Sequence, residues 1–291
     1  MKTNNRLLRL EHTSPSFPLA LTQIEGPPEK LWARGQLRWM GAGIPRIAIV
    51  GTRAPTPYGE AQAQRFGREL ALAGVTVVSG LARGIDQAAH QASLDAGGGT
   101  IAVLGSGLDR PWPKVPLVDE IAAKGLLLSE YEPTTPPRPR HFPMRNRLIS
   151  GLCDGLVVIE AAAASGSLIS ARWAVDQGRD VFALPGRVDH PMSAGCHRLL
   201  REGAGLVESP SELLELVYGN RVTTRADSQL PTDSDSIQSS RIESALRGET
   251  LSADELAQTL EGSIPELLTE LVQLELGGRV VRAPGGLYRL P

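Results

Sequence analysis

The chain is poor in cysteine, in aromatic residues and in net charge, and it contains no long apolar run. Two cysteines, Cys153 and Cys196, are too few for a disulfide framework or a four-cysteine zinc site. They fit a reducing compartment in which both fill the core as small apolar residues. No stretch reaches the roughly 18 apolar residues that span a bilayer, and the N-terminal MKTNNRLLRLEHTSPSFPLAL scatters its charges. No membrane association and a cytoplasmic location are therefore expected. A formal charge of −2 gives no global attraction for polyanions, so any nucleic-acid contact must come from a local basic patch.

Several catalytic signatures are missing as well. The junction Val50-Gly51-Thr52-Arg53-Ala54-Pro55 lacks the three spaced glycines of the dinucleotide fingerprint and puts bulk and charge where a pyrophosphate would approach. No P-loop, zinc-ligand spacing or nucleophile elbow is present. NAD binding and Walker-type hydrolysis are disfavoured, no cofactor is expected, and the chain reads as a binding protein, not an enzyme. His90 falls within a helical pattern with no nucleophile beside it and reads as structural. Asp86 and Asp109 follow glycine loops, where stabilising a turn is the commoner role than metal binding or base catalysis.

What is present is a regular alternation of short aliphatic runs and longer helical patterns. Strands are expected at Arg46 to Val50, Val75 to Ser79, Thr100 to Leu104, Gly125 to Ser129, Leu156 to Glu160 and Val181 to Leu184. Helices are expected near Tyr58 to Ala73, Ile85 to Ala96, Leu117 to Lys124, Met144 to Leu152, Leu168 to Gln177 and Gly195 to Glu202. The fold class is α/β, a mostly parallel sheet with helices on both faces. Residues 1–45 read as a short N-terminal extension, 46–218 as the main domain, 219–240 as a polar linker and 241–291 as a small C-terminal domain. In that last domain, helical patterns at Ile242 to Leu246, Ser252 to Leu260 and Ile264 to Leu276 precede a hairpin, which suggests a winged helix; Ser252 and Glu255 form a capping box. Residues 237–291 hold five arginines against eight acids, so this domain is expected to contact protein or regulate access, and not to grip phosphates.

The densest signal is Val77 to Pro113, where two strands in succession run into glycine loops: Ser79-Gly80-Leu81-Ala82-Arg83-Gly84 and Gly105-Ser106-Gly107. Helix N-termini after such loops have free amides and the positive end of the dipole, so Ser79, Gly80, Gly84, Gly105 and Gly107 are candidates for holding an anion at the carboxyl edge of the sheet. Arg53 follows the first strand at the same edge, where a guanidinium can contact phosphate in bidentate fashion or lie solvated in its loop. In Glu132 to Arg147, EPTTPPRPRHFPMRNR, the residues Arg138, Arg140, Arg145 and Arg147 surround Phe142. Prolines keep that segment extended, and Phe142 either stacks a base or turns into the core. Asn146 either caps a helical turn or reads a ligand, and Ser165, Gly166 and Ser167 either close the site or cap the next helix.

The ordered set VGTRAPTPYG, VVSGLARGID, TIAVLGSGLD with PWP, FPMRNRLISG, VVIEAAAASGSLISA, GRDVFALPG and SAGCHRLLREGA resembles the DNA processing protein A (DprA, or Smf) family, from about Leu21 to Glu208. The resemblance implies an extended Rossmann-like fold with a C-terminal winged helix. It also implies a homodimer that binds single-stranded DNA, protects incoming transforming strands and loads the RecA recombinase onto them. Family DNA-binding positions carry over onto Arg53, Lys114 and the segment with Arg138, Arg140 and Phe142, while Arg145 and Arg147 belong to the Arg-Asn-Arg motif. This chain has Trp112-Pro113 where the family typically has Tyr-Pro. About 45 residues precede the first expected strand, so the helical domain with which many members begin is expected to be missing or shortened. The alternative function is a nucleoside-monophosphate hydrolase of the lysine-decarboxylase-like Rossmann group, whose Pro-Gly-Gly-Xaa-Gly-Thr segment is replaced here by Ala162-Ala163-Ala164-Ser165-Gly166-Ser167.

Overall fold

A computed structural model describes residues 6–219, 242, 244–246, 249–260, 263–276, 279–283 and 286–290. It separates into two compact units, Met1–Asp227 and Ser228–Pro291. In the first unit the elements follow as β1 (Leu8–Glu11), β2 (Lys30–Gly35), β3 (Arg46–Val50), α1 (Pro57–Leu72), β4 (Thr76–Ser79), α2 (Ile85–Asp95), β5 (Thr100–Val103), α3 (Leu117–Lys124), β6 (Leu126–Ser129), α4 (His141–Gly151), β7 (Gly155–Val158), α5 (Ser167–Asp176), β8 (Asp180–Ala183), α6 (Ala194–Arg201), β9 (Gly205–Leu206) and α7 (Pro210–Tyr218). Nine strands form one sheet in the order β1-β2-β6-β5-β4-β3-β7-β8-β9.

Strands β3 to β9 pair in parallel, while β1 pairs with β2, and β2 with β6, antiparallel. The N-terminal residues are therefore not a separate extension; residues 8–35 complete the sheet. Burial explains why the six inner strands are short and mostly apolar. Along β3, Ala48 and Val50 enter the core on one face while Ile47 and Ile49 enter the core on the other, and β7 alternates likewise with Leu156 and Val158 against Val157. Helices α4, α5 and α6 cover the first face through Leu148, Ala171 and Cys196; α1, α2 and α7 cover the second through Phe66, Ile85 and Leu213. Both cysteines are buried, in keeping with their reading as core fillers.

The strand order positions the site. From β3 the chain winds through β4, β5 and β6 in one direction, then returns to place β7 on the opposite side of β3. The loops leaving β3 and β7 diverge at this reversal and open a crevice at the carboxyl edge, where open α/β sheets bind ligands.

In the second unit, helices Ala253–Leu260 and Ile264–Leu276 accompany a three-stranded antiparallel sheet of β10 (Leu251–Ser252), β12 (Leu287–Arg289) and β11 (Val281–Ala283). Ile242, Leu246, Leu256, Leu267, Leu271 and Tyr288 share its core. The capping box forms as expected: the Glu255 carboxylate accepts from the Ser252 amide at 2.8 Å, and the Ser252 hydroxyl accepts from the Glu255 amide at 3.3 Å. Most of the expected linker and part of the expected helix at Ile242 to Leu246 lie outside the described residues. Among the described residues no helix is long and apolar enough to cross a membrane.

Candidate nucleic-acid interface

A groove of about 680 Å³ opens at the topological reversal, lined by Gly51 to Arg53 after β3, by Phe142, Arg145 and Asn146 of α4, and by Ala162 and Ala164 to Ser167 after β7. A second recess of about 270 Å³ is lined by Gly80, Arg83, Trp112 and Pro113, and it shares Arg53, Ala82, Phe142 and Arg145 with the groove. The shared residues set the two cavities side by side along the carboxyl edge, and together they form the channel.

Its cations fall into two sets. Arg53, Arg83, Lys114, Arg138 and Arg140 are exposed, and none has a hydrogen bond or ion pair from its charged group among the described residues. Arg53 and Arg83 line the channel, Pro139 between Arg138 and Arg140 lines it too, and Lys114 follows the lining residue Pro113. These charges are free to meet an anion.

Arg145 and Arg147 are not. Arg145 is buried, its Nη1 donates to the Gly80 carbonyl at 2.7 Å and to the Val103 carbonyl, and its guanidinium lies so close over Gly80 that any Cβ there would collide with it. Burial pulls its pKa down to about 10, opposed by Asp86 and reinforced by Arg53, so it remains a cation at neutral pH. Arg147 is also buried and forms a fork with Glu130, Nη1 to Oε1 at 3.1 Å and Nη2 to Oε2 at 2.6 Å. Arg145 joins two loops beside the cavities that it lines, and Arg147 serves an internal ion pair.

The glycine loops have partners within the chain. The amides of Gly80 and Ala82 already have an anion, the Asp86 carboxylate, which accepts from them at 3.1 and 3.2 Å. Burial raises the Asp86 pKa, with the Arg145 charge and these two amides pulling it back down. Asp86 thus stabilises the turn, and with Arg145 it holds the Gly80–Gly84 loop in a conformation where Leu81, at φ 58°, and Gly84, at φ 84°, both occupy left-handed space. Ser79 is buried, and its hydroxyl donates to the Ile49 carbonyl at 2.6 Å. Gly105 and Gly107 are buried under neighbouring chain: a Cβ on Gly105 would meet the Phe142 ring at 2.9 Å, and one on Gly107 would collide with the Glu132 and Pro133 carbonyls. These two glycines permit close packing and offer no surface to a phosphate. Asp109 accepts from Arg34 at 2.6 Å, again fixing a loop.

Phe142 lies in the first turn of α4, which begins at His141, three residues before the expected start. It packs on Gly105 and remains half-buried with a surface on both cavities. Since Asn146 is well inside that helix, it caps nothing; its Oδ1 accepts from Arg145 Nε at 3.3 Å, and it faces the groove. At the start of α5 Gly166 is the N-cap, with no side-chain cap bond; Ser165 and Ser167 line the groove, their hydroxyls are 2.7 Å apart, and Ser165 Oγ accepts from the Ser167 amide at 3.4 Å. Two residues were overlooked in the sequence, Arg83 and Trp112. Their signals were available: an arginine inside the first glycine loop and an aromatic directly after the second.

Fold and channel together define a Rossmann-like α/β protein whose ligand edge carries unpaired cations, aromatic surface and two short loop-to-helix junctions. The chain belongs to the DNA recombination-mediator protein A family, whose model matches residues 9–218, and a DprA winged helix domain matches residues 226–286. It is 40% identical over 285 residues to Protein Smf of Escherichia coli strain K12, covering 95% of this chain and 76% of that one. The X-ray structure of DNA processing protein A from Streptococcus pneumoniae is similar with a TM-score of 0.68 at 42% identity, covering 72% of this chain and 74% of that one. DNA processing protein A from Helicobacter pylori, whose structure is described for its single-stranded DNA binding mode, is similar with a TM-score of 0.66 at 34% identity, covering 72% of this chain and 95% of that one.

Proposed function

We propose that this protein binds single-stranded DNA along the channel, protects incoming transforming strands and loads the RecA recombinase onto them, acting as a cytoplasmic homodimer with no catalytic turnover. The observation that carries this reading is the row of exposed, unpartnered cations, Arg53, Arg83, Lys114, Arg138 and Arg140, on or beside a channel that also offers aromatic surface. A polyanion satisfies several such charges at once, and accessible bases meet the aromatic rings, a combination that suits a single strand. The Helicobacter pylori relative, described as binding single-stranded DNA, supports the same ligand. The winged-helix unit, with its excess of acids, takes a protein contact or a regulatory role in this reading.

The test is equilibrium binding of a fluorescent oligothymidine over a salt series. Affinity should fall steeply, with a slope of about −0.7 per phosphate contacted. Binding that is absent or indifferent to salt overturns the reading. Release of free base from nucleoside monophosphates would instead identify a hydrolase. Loading is tested by RecA filament formation on the same strand precoated with a single-strand-binding protein, which this protein should accelerate.

A further inference from the structure

A third cavity, of about 460 Å³, opens between the first turn of α1, Glu160 beyond β7 and the loop 186–193 beyond β8. It shares no lining residue with the two cavities of the channel. Its buried charge is negative. Glu160 is 5% exposed, and its carboxylate accepts from the Thr56 amide at 2.8 Å and from the Thr56 hydroxyl at 2.7 Å. A carboxylate has about four acceptor positions, so about two remain open. No cation pairs with Glu160 among the described residues. Tyr58 stands in the same wall, and burial raises its pKa, with Cys196 and Glu160 adding to the rise and Arg65 opposing it. The phenol therefore stays protonated and neutral.

Ser193 supplies a second unsatisfied group. It is 6% exposed and lines the cavity, and its hydroxyl has no hydrogen-bond partner among the described residues. The oxygen faces Gly186, another lining residue, so closely that any Cβ there would collide with it. A buried hydroxyl without a partner carries a desolvation cost that a ligand can relieve. The walls are already fixed: the Ala161 amide donates to the Met192 carbonyl and the Gly195 amide to the Ala161 carbonyl, both at 2.8 Å, while His197 Nε2 donates to the Gly186 carbonyl at 2.9 Å. A ligand would meet little ordering cost there. On the exposed side, Arg187 forms a fork with Asp189 at 3.0 and 2.7 Å, so its charge is already matched.

We infer that this cavity is a guanidinium-binding site, in which Glu160 and the Ser193 hydroxyl accept from the N–H groups and the Tyr58 ring and Pro57 cover the stem. It is a function separate from the binding of DNA. A phosphate or carboxylate ligand would be repelled by the buried carboxylate, whose only donors are those of Thr56. Among cations the planar guanidinium suits the site better than an ammonium. It is the more weakly hydrated of the two, its fork matches a carboxylate, and it stacks on an aromatic face. Either a small guanidino compound or an arginine side chain offered by a polypeptide has this chemistry.

The experiment is calorimetric titration of the full-length protein with three probes: ethylguanidinium, a capped Ala-Arg-Ala tripeptide, and the same tripeptide carrying citrulline, whose urea keeps the shape and drops the charge. The arginine tripeptide should bind at least about tenfold more tightly than the citrulline one, as expected for losing a charge-assisted contact. Ser193→Ala should weaken arginine-tripeptide binding about 3- to 10-fold, the range for one hydroxyl contact. Its melting temperature should match the parent's, because the hydroxyl has no partner to lose. Glu160→Gln, checked for folding by its melting curve, should lose the preference for arginine over citrulline. Oligothymidine affinity of Ser193→Ala should stay within about twofold of the parent's, since the two sites share no residue. A tripeptide that binds more tightly than ethylguanidinium assigns the group to a polypeptide; equal affinities assign it to a small molecule. The site is overturned if arginine and citrulline tripeptides bind alike, if no probe binds at up to about 10 mM, or if Ser193→Ala binds the arginine tripeptide as the parent does.

Discussion

Replacing Arg53 and Arg145 separately with alanine should split two residues that a count of basic motifs treats alike. Arg53 is exposed and unpartnered, so its loss strands no buried group, and stability should stay within about 0.5 kcal/mol of the parent. Affinity for oligothymidine should drop about tenfold or more, as expected for one charge-assisted contact worth roughly 1.5 to 3 kcal/mol, and the salt slope should shrink by about 0.7. Arg145 is buried against the Gly80 and Val103 carbonyls and balances the charge of Asp86. Its removal leaves two carbonyls and a carboxylate without their cation, a change that costs about 3 to 5 kcal/mol for buried charges. At roughly 2 to 4 °C per kcal/mol in a unit of this size, melting should fall by about 10 °C. Affinity should also fall, because the loop bearing Leu81 and Gly84 loses its clasp, but the salt slope of the folded fraction should change less than in Arg53→Ala. Differential scanning calorimetry and salt-dependent anisotropy read the two effects independently. The reasoning is refuted if Arg145→Ala melts with the parent and loses a full phosphate from the slope, since Arg145 would then be a free ligand.

Two further outcomes follow from buried groups. Glu130→Ala strands the Arg147 guanidinium, whose side chain is only 7% exposed, and should cost about 3 to 5 kcal/mol in urea unfolding. Oligothymidine affinity of the folded variant should stay near the parent's. His90 is fully buried: its Nδ1 is 2.6 Å from Thr100 Oγ1, which itself donates to the Val77 carbonyl, so Nδ1 holds the proton and Nε2 has no partner. Burial, with Arg145 nearby, lowers its pKa to about 3, so the native state binds fewer protons than the unfolded chain. The associated stability is present above the ordinary pKa of 6.5 and is lost as pH falls toward 3; between pH 7 and 5 the loss should be about 2 kcal/mol. His90→Gln should remove that dependence.

The parallel core was legible because burial on both faces writes itself into composition. Each of the six inner strands is found within a residue or two of its aliphatic run, and α3 has the expected ends, Leu117 and Lys124. The outer elements were not legible. Strand β2, KLWARG, buries Leu31 and Ala33 while carrying Lys30 and Arg34, so its mixed sequence resembles a loop until β6 is there to pair with it. The site divided along the same line. Arg53 and Arg145 differ in what lies above and below them, and the carbonyls that capture Arg145 come from Gly80 and Val103, far away in sequence. Likewise the glycines of the second loop announce a close approach without saying of what; in Gly107 the approaching group is this chain's own backbone.

The antiparallel pair β1–β2 has a meaning for solubility that its small size conceals. Strand β6, Leu126–Ser129, is apolar and fully buried, and its outer row of amides and carbonyls is taken up by β2. The sheet then ends on four-residue β1, where Arg9 and Glu11 place charge on the border, and at the far side on two-residue β9. Short, charged borders resist pairing with other chains, whereas an open leucine strand is a template for it. A fragment trimmed to begin at the first parallel strand would keep every residue of the channel and still offer that template, so its fate in concentrated solution would be association edge to edge. Residues 8–35 serve as a selvedge, finishing the fabric so that it does not catch on its neighbours.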